Sequence, residues 1–229
     1  QRLLPSSDGS EVFRSPAAGA LHTLVADHVI QGRVVFPGTG YLEMARAAAS
    51  TGSKKPALHG VYFMQPLATE TPELQVECAI SGGRFDVRSG TLAADAALLG
   101  SMVVNCSGSF EYGSKGRENR ASFAEVRGLR CVHAAEVGAL YDAFHSVGLQ
   151  YGPAYRTITH AWACGDAASG QLRARLLNQG TDVHPADLDD ALCVGALTGG
   201  SGTSNETRLP FAVDDALLRG VAGKLWAVR

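Results

Sequence analysis

The sequence predicts an α+β protein in which antiparallel strands wrap around a helix in each half of the chain. Apolar and polar residues alternate through 74–80 and again through 84–88, on either side of a Ser81-Gly82-Gly83 turn. This period of two is typical of antiparallel sheet with one face covered. Most segments between about residues 20 and 110 share the strand-like pattern, so strands dominate the first half.

One helix interrupts these strands, over 39–50. Thr39 is the expected N-cap, Glu43 lies in the expected first turn, and the rest of the segment is rich in alanine. Small side chains would let a sheet pack closely around this helix. We therefore expect it to be the central helix of the first half.

The polar, turn-rich stretch at 113–120 divides the chain. We expect a first half over 1–112, a linker at 113–122 and a second half over 123–229. An amphipathic helix at 137–147, closed by Gly148, opens the second half. Strands at about 155–165 and 170–176 follow it. A further helix is expected after His184-Pro185, since proline is well tolerated in a first turn.

Composition excludes several classes of protein. The 229 residues carry 20 Lys and Arg against 22 Asp and Glu, and no run of like charges is long enough to indicate nucleic-acid or membrane partners. The five cysteines are scattered, odd in number and without a CxxC pair, which argues against a zinc site or a disulfide framework. The sequence shows no signal peptide and no apolar stretch long enough to span a membrane. The cysteine pattern fits a reducing cytosol, so we expect a cytoplasmic protein. The chain begins at Gln1 rather than Met, and we therefore expect a module cut from something longer.

Four short motifs follow one another along the chain. The first has His28, a glycine four residues later at Gly32, and Pro37 followed by Gly38. The other three are Tyr151-Gly152-Pro153 with Tyr155, then His184-Pro185 with Asp189, then Leu209-Pro210-Phe211. In this order they resemble the motifs of dehydratase domains of polyketide and fatty acid synthases, over about residues 22–229.

The resemblance implies a double hotdog fold, two antiparallel sheets each wrapped around a central helix, with the active site between the halves. It implies that His28, from the first half, is the catalytic base and that Asp189, from the second half, is the catalytic acid. The two would face each other across a tunnel and remove water from a 3-hydroxyacyl thioester. Six further residues are expected to contact or shape the substrate site: Pro37, Gly38, Tyr151, Gly152, Pro153 and Cys193. Related domains usually continue for a further strand pair, so an edge of the second sheet is expected to be incomplete.

The same resemblance implies partners and excludes cofactors. The substrate would arrive on the phosphopantetheine arm of an acyl carrier protein, beside neighbouring synthase domains and within a homodimer. The enzyme would bring no metal or nucleotide of its own. Leu209 to Phe211 are expected to line or buttress the acyl channel.

The chemistry of the first motif agrees with this assignment. Histidine is neutral near pH 7 and so has the capacity to take a proton from the carbon next to a thioester. Free N–H groups at the start of the helix, around Gly38 to Gly40, would polarise the thioester carbonyl. The alternative for His28 taken by itself is a hydrogen-bonded structural histidine.

Three aspartates compete for the role of acid: Asp187, Asp189 and Asp190. A carboxylic acid sheltered in an apolar channel holds its proton near neutral pH. The motif places the acid five residues after His184, which is Asp189. Asp187 and Asp190 are then expected to be solvated charges at a helix start.

The chain departs from the family pattern at two positions. Cys193 stands where Gln or His usually helps to hold the hydroxyl, and a thiol is only a weak donor. Tyr155 takes the place of the usual phenylalanine. We expect a working dehydratase with altered substrate placement; a domain whose rate has decayed is the alternative.

Other sites and functions are disfavoured. Gly38-Thr-Gly40 has Glu43 where a dinucleotide fingerprint needs glycine, and His160 and Cys164 fall in a predicted strand rather than on one helical face. A double-bond isomerase on the same fold typically lacks the proline and the aspartate found here as Pro37 and Asp189. A non-catalytic acyl-binding or scaffold module is suggested by Cys193 alone.

Overall fold

The computed structural model describes residues 2–4, 9–51, 54–91, 102–113, 133–175, 179–198, 207, 209–218 and 225–228. The helices are α1 Ala20–Val25, α2 Gly38–Ala49, α3 Val137–Ser146 and α4 Pro185–Cys193, with 3-10 turns at Pro153–Tyr155 and Val194–Leu197. The first strands are β1 Arg2–Leu4, β2 Glu11–Pro16, β3 Val29–Ile30, β4 Arg33–Val34, β5 Ala57–Phe63, β6 Leu74–Ser81, β7 Arg84–Thr91 and β8 Val103–Glu111. The later strands are β9 His133–Ala135, β10 Ile158–Cys164, β11 Ala167–Leu172, β12 Ala212–Ala216 and β13 Leu225–Val228.

The chain divides into two compact units. The first comprises Gln1–Ala26, Arg33–Gly116 and Leu209–Arg219, and the second comprises Asp27–Gly32, Arg117–Arg208 and Gly220–Arg229. The segment that carries His28 thus belongs to the second unit, because its backbone pairs with 148–152. The linker expected at 113–122 lies, after Gly113, outside the described residues, and the division there stays a prediction.

The first unit is built on a seven-stranded sheet in the order β1-β2-β6-β7-β8-β5-β12. The strands predicted from alternation are confirmed: β6 and β7 pair antiparallel around Gly82 and Gly83, which adopt φ values of +55° and +76°. Val61, Val76 and Phe85 are fully buried. The alternating pattern therefore turns one face of this sheet toward a core.

The predicted central helix is α2, which packs against β5, β6 and β7. Thr39 does not cap it, contrary to expectation. Extended backbone at Pro37 (ψ 151°) starts the helix at Gly38, so Thr39 lies within the helix and is buried. Glu43 is not in the first turn; it is buried and its carboxylate binds the Arg46 guanidinium at 2.6 and 2.7 Å. A side chain at Gly40 would meet the Phe36 ring at 2.7 Å, which is why a small residue is needed there.

The second unit contains a four-stranded sheet in the order β13-β11-β10-β9. Helix α3 contacts β10, and α4 contacts β11 and β13. The predicted helix at 137–147 is confirmed as α3, after which Gly148 turns the chain with a φ of +90°. The prediction of a helix at Pro185 is confirmed by α4. The strand expected from 155 begins only at Ile158, because Pro153–Tyr155 forms a 3-10 turn.

Within the described part of the chain, helices are too short or too polar to cross a lipid bilayer.

Candidate active site

Within the second unit, the structure brings His28 and Asp189 together. The His28 Nε2 atom lies 3.8 Å from the Asp189 Oδ2 atom. Both side chains are largely shielded from solvent, with exposed fractions of 6% and 14%. Two titratable groups this close can act on neighbouring atoms of one bound molecule.

His28 is held by backbone hydrogen bonds on either side of it. The Gly152 amide donates to the Asp27 carbonyl at 2.7 Å, and the Gln150 amide donates to the Val29 carbonyl, also at 2.7 Å. Further along, the Gln31 amide donates to the Gly148 carbonyl at 2.8 Å. The segment that carries His28 and the segment 148–152 therefore form one short antiparallel ladder.

Gly152 and Pro153 shape this ladder. A Cβ atom at Gly152 would lie 2.5 Å from the Cγ and Oδ1 atoms of Asp27, so only glycine fits. The Asp27 carboxylate in turn accepts a hydrogen bond from the Ala154 amide at 2.6 Å. Pro153 is the first residue of the 3-10 turn, and its carbonyl accepts from Arg173 at 3.2 Å. Substrate contact by either residue stays a prediction.

Two tyrosine rings form a wall beside the imidazole. The centroid of the His28 ring lies 5.5 Å from that of Tyr151 and 5.3 Å from that of Tyr155. The two tyrosine rings are stacked, 6.4 Å apart and 10° from parallel. The Tyr151 hydroxyl hydrogen-bonds the Asp189 carboxyl group, and burial raises the pKa of Tyr151 so that the phenol keeps its proton. Tyr151 thus contacts both members of the pair, as expected for a residue near the reacting groups.

The Tyr155 hydroxyl differs from that of Tyr151 in its hydrogen bonding. Its side chain is almost fully buried, and within the described residues the hydroxyl has no hydrogen-bond partner. A buried hydroxyl without a partner costs free energy.

The environment of Asp189 makes it a proton donor near neutral pH. Burial disfavours the ionised carboxylate and raises its pKa from 3.8 to about 7, although the hydrogen bond from Tyr151 acts in the opposite direction. Desolvation therefore outweighs hydrogen bonding. A substantial fraction of Asp189 carries its proton at pH 7, as an acid catalyst requires.

The expectation that Asp187 and Asp190 are solvated charges is wrong. Both side chains are buried, because this face of α4 packs inside the second unit. Asp187 binds the Arg175 guanidinium at 2.6 Å. Asp190 accepts hydrogen bonds from the Tyr141 hydroxyl at 2.9 Å and from the amide and hydroxyl of Thr157 at 2.5 and 2.6 Å. Both aspartates have structural partners of their own.

Cys193 lies one helical turn beyond Asp189, on the same face of α4. Its Sγ atom is 3.8 Å from the Tyr151 hydroxyl oxygen, a weak contact. Burial raises the pKa of the Cys193 thiol, which therefore stays protonated. Cys193 is next to the pair but offers little hydrogen bonding.

His184 caps α4 rather than joining the pair. Its Nδ1 atom accepts a hydrogen bond from the Ala186 amide at 3.2 Å, and Nε2 lies 2.8 Å from the Gln179 Oε1 atom. Burial, and to a smaller degree the Arg175 charge, lowers the pKa of His184 to about 4, so the ring is neutral and able to accept. His184 thus caps the start of the helix that carries Asp189.

The remaining predicted residues lie in the first unit. Gly38 opens α2, where an added Cβ would come within 3.2 Å of the Phe63 ring and 3.3 Å of Pro210. The Phe211 carbonyl accepts a hydrogen bond from the Phe63 amide at 2.9 Å, which ties the Leu209-Pro210-Phe211 motif to the end of β5. Roles for Pro37, Gly38 and this motif toward substrate stay predictions.

Sequence reasoning missed four residues that anchor the segments around the pair, Asp27, Tyr141, Thr157 and Arg175. Of these four, only Asp27 could have been singled out from the sequence, because it directly precedes His28. Among the described residues, no group of three or more His, Cys, Asp or Glu side chains is arranged to hold a metal ion.

Comparisons with known proteins agree on one family. A profile described as polyketide synthase dehydratase domain matches residues 1–92, and one described as polyketide synthase dehydratase N-terminal domain matches residues 124–228. The chain is 32% identical over 207 residues to polyketide synthase ThaG of Burkholderia thailandensis, covering 84% of this chain and 3% of that protein. It is 25% identical over 215 residues to polyketide synthase PksN of Bacillus subtilis, covering 88% of this chain and 4% of that protein. The chain thus spans only a few per cent of the length of these relatives.

Solved structures show the same fold. The dehydratase domain from the CurK module of curacin polyketide synthase superposes with a TM-score of 0.83 at 20% identity, covering 99% of this chain and 84% of that chain. Inactive variants of the CurK dehydratase, one with phenylalanine in place of a histidine and one with asparagine in place of an aspartate, match with TM-scores of 0.82 and 0.83. The predicted double hotdog fold is confirmed. The chain belongs to the family of polyketide synthase dehydratase domains.

Proposed function

We propose that this domain removes water from a 3-hydroxyacyl thioester, with His28 as the base and Asp189 as the acid. The observation that carries the proposal is the 3.8 Å separation of the His28 Nε2 and Asp189 Oδ2 atoms in a shielded environment. A proton acceptor and a proton donor at this spacing can reach the α-carbon and the β-oxygen of one three-carbon unit.

The proposed reaction balances without a cofactor. The Nε2 atom of His28 takes the proton from the α-carbon, and the electrons of the broken C–H bond form the α,β double bond. The bond between the β-carbon and oxygen breaks, and Asp189 gives its proton to the departing hydroxyl, which leaves as water. The imidazolium then returns a proton to the Asp189 carboxylate, directly or through water, and the site is restored.

Two features of the site support these roles. The raised pKa of Asp189, about 7, keeps a protonated acid available. The ladder that joins 27–31 to 148–152 fixes the position of the His28 backbone, and the Tyr151 hydroxyl bonds the Asp189 carboxyl. Positioning of this kind lowers the barrier because little reorganisation is left for the reaction itself.

The source of the substrate is part of the proposal. Relatives are large polyketide synthases in which this chain corresponds to a few per cent of the length. We infer that the acyl group arrives on the phosphopantetheine arm of an acyl carrier protein, next to other synthase domains. A homodimer is a further expectation of the family resemblance.

The alternatives are less well supported. A double-bond isomerase moves a proton from one carbon to another and breaks no carbon–oxygen bond, so it needs no proton donor for a departing hydroxyl. A scaffold domain needs neither group. In the CurK dehydratase, replacing a histidine or an aspartate gives an inactive protein, and we expect the same of His28 and Asp189.

The test uses a 3-hydroxyacyl pantetheine thioester and follows the loss of one water by mass spectrometry. We expect His28→Ala and Asp189→Asn each to slow turnover by about 10²–10⁴-fold, the range typical of general acid–base catalysis. His145→Ala and Asp142→Asn, at exposed positions of α3, are the matched controls and should react like the wild type. If both site variants retain wild-type turnover, the assigned roles are wrong.

A further inference from the structure

Asp190 is a buried carboxyl group that the proposed reaction does not use. It is 1% exposed and lies next to Asp189 on α4. Its Oδ1 atom accepts from the Tyr141 hydroxyl, and its Oδ2 atom accepts from both the amide and the hydroxyl of Thr157. The Tyr141 hydroxyl also accepts from the Ile158 amide at 3.3 Å, so it is oriented to donate to Asp190. The middle of the acid-bearing helix is thereby tied to α3 and to the start of β10.

The donors around the two neighbouring carboxyl groups are unequal. Asp190 receives three hydrogen bonds, which favour its charged form. Asp189 has a hydrogen bond with Tyr151 and lies 3.8 Å from His28. Of the two groups, Asp190 is the one whose surroundings stabilise a negative charge.

The other charged groups near Asp190 contact side chains other than its carboxylate. Asp187 on the same helix is matched by Arg175. In the segment before β10, the Arg156 guanidinium lies 5.4 Å from the centre of the Tyr141 ring, which belongs to α3. Thr157, in the same segment, offers Asp190 only hydrogen-bond donors. Among the described residues, the polar and titratable groups that face this part of α4 are Asp187, Asp189 and Cys193 on the helix itself, and His28, Tyr141, Tyr151, Tyr155, Arg156, Thr157 and Arg175 from its neighbours.

We propose that Asp190 is a positioning residue whose ionised, triply hydrogen-bonded carboxylate fixes α4 and keeps the proton on its neighbour Asp189. A negative charge beside a carboxyl group disfavours a second negative charge, and this repulsion is larger in a shielded environment. This proposal depends on the proposed function at one point only: the proton on Asp189 is the one that the dehydration would give to the departing hydroxyl.

The order of ionisation agrees with this role. Burial raises the pKa of Asp190 to about 6, hydrogen bonds from Thr157 and Tyr141 hold it down, and the neighbouring Asp189 charge raises it; burial raises the pKa of Asp189 to about 7. The repulsion between the two carboxyl groups is mutual, so they titrate as a coupled pair, in which the three hydrogen bonds to Asp190 favour its ionisation before that of Asp189.

The experiment titrates the side-chain carboxyl carbons by carbon-13 NMR, with Asp189→Asn used to assign the Asp189 signal. Asp190→Asn removes the neighbouring charge, and we expect the pKa of Asp189 to fall by about one pH unit. Asp187→Asn is the control: its charge is already balanced by Arg175, so the pKa of Asp189 should move far less. The proposal is overturned if Asp190→Asn leaves the pKa of Asp189 unchanged, or if Asp187→Asn lowers it equally.

A second variant covers the case in which Asp190→Asn does not fold. Thr157→Val removes one donor and keeps the Asp190 side chain, which weakens the preference of Asp190 for its charged form. We expect a smaller fall in the pKa of Asp189, and no fall contradicts the proposal. Since the NMR readout does not depend on turnover, it separates the two hypotheses. If the pKa of Asp189 falls while Asp189→Asn retains activity, the proposed function fails and the role of Asp190 stands.

Discussion

Replacing Gly152 by alanine tests whether the ladder beside His28 sets the position of the base. The new Cβ atom would lie 2.5 Å from the Asp27 Cγ and Oδ1 atoms and 2.9 Å from its Cβ atom. Carbon atoms pack at about 3.5–4.0 Å, so the Asp27 side chain must move by about 1 Å or more. Gly152 itself has a φ of −83°, which alanine adopts without strain. The effect is therefore steric and directed at the residue next to His28.

The magnitude follows from two losses. Overpacking of a close contact costs about 1–3 kcal/mol. Moving Asp27 also breaks the 2.6 Å hydrogen bond from the Ala154 amide to its carboxylate, and a hydrogen bond to a charged group contributes about 1.5–3 kcal/mol. The Ala154–Asp27 hydrogen bond is exposed to solvent, which reduces its contribution, so we expect the free energy of unfolding to fall by roughly 2–5 kcal/mol, somewhat less than the two ranges added together. Turnover should fall by about 10²-fold, because a displacement near 1 Å is enough to misalign a catalytic group.

Urea unfolding and the water-loss assay measure the two effects. Gly138→Ala is the control within the same unit, since an added Cβ there meets nothing within 4 Å and the site lies in α3. This control should be neutral or more stable by up to about 1 kcal/mol, as alanine favours helix. If Gly152→Ala matches the wild type in both stability and turnover, the ladder does not position His28.

Four further predictions concern the pair and the side chains around it. Because the pKa of Asp189 is raised to about 7, its acid form is present below that pH and is lost above it, so kcat/KM for dehydration should decline as the pH rises through about 7; a flat profile from pH 6 to 9 contradicts this. The same raised pKa means that the folded protein holds more protons than the unfolded chain between about pH 4 and 7, so the unfolding free energy should decrease with rising pH in that window, and less steeply in Asp189→Asn. Tyr155→Phe removes a buried hydroxyl that has no partner among the described residues and should raise the unfolding free energy by about 1 kcal/mol in urea titrations; a loss of stability would reveal a partner. Cys193→Ala should change turnover by less than about threefold, since the 3.8 Å contact with Tyr151 is weak; a 100-fold loss would instead make the thiol a substrate contact.

Most of the fold could be predicted from local pattern. The alternation of apolar and polar residues predicted β6 and β7. The apolar face at 137–147 predicted α3, and Pro185 predicted the start of α4. The start of α2 was misplaced because Thr39 is a good capping residue by type, whereas the extended backbone at Pro37 begins the helix one residue earlier. Local capping preference was overridden by the geometry that proline imposes.

The candidate site was predictable only where residues fell in motifs. His28, Tyr151 and Asp189 are close in space and were all named from the sequence. The burial of Asp187 and Asp190 could not be read from the chain, because an aspartate near a helix start is usually solvated and nothing in sequence placed Thr157 or Arg175 beside them. These contacts depend on tertiary packing.

A crystal structure of the Asp189→Asn protein with a bound 3-hydroxyacyl pantetheine thioester tests the assignment of base and acid most directly. We predict the His28 Nε2 atom within about 3.5 Å of the α-carbon and the residue-189 amide within hydrogen-bonding distance, about 3 Å, of the β-hydroxyl oxygen. A substrate whose α- and β-carbons lie out of reach of both side chains would contradict the account.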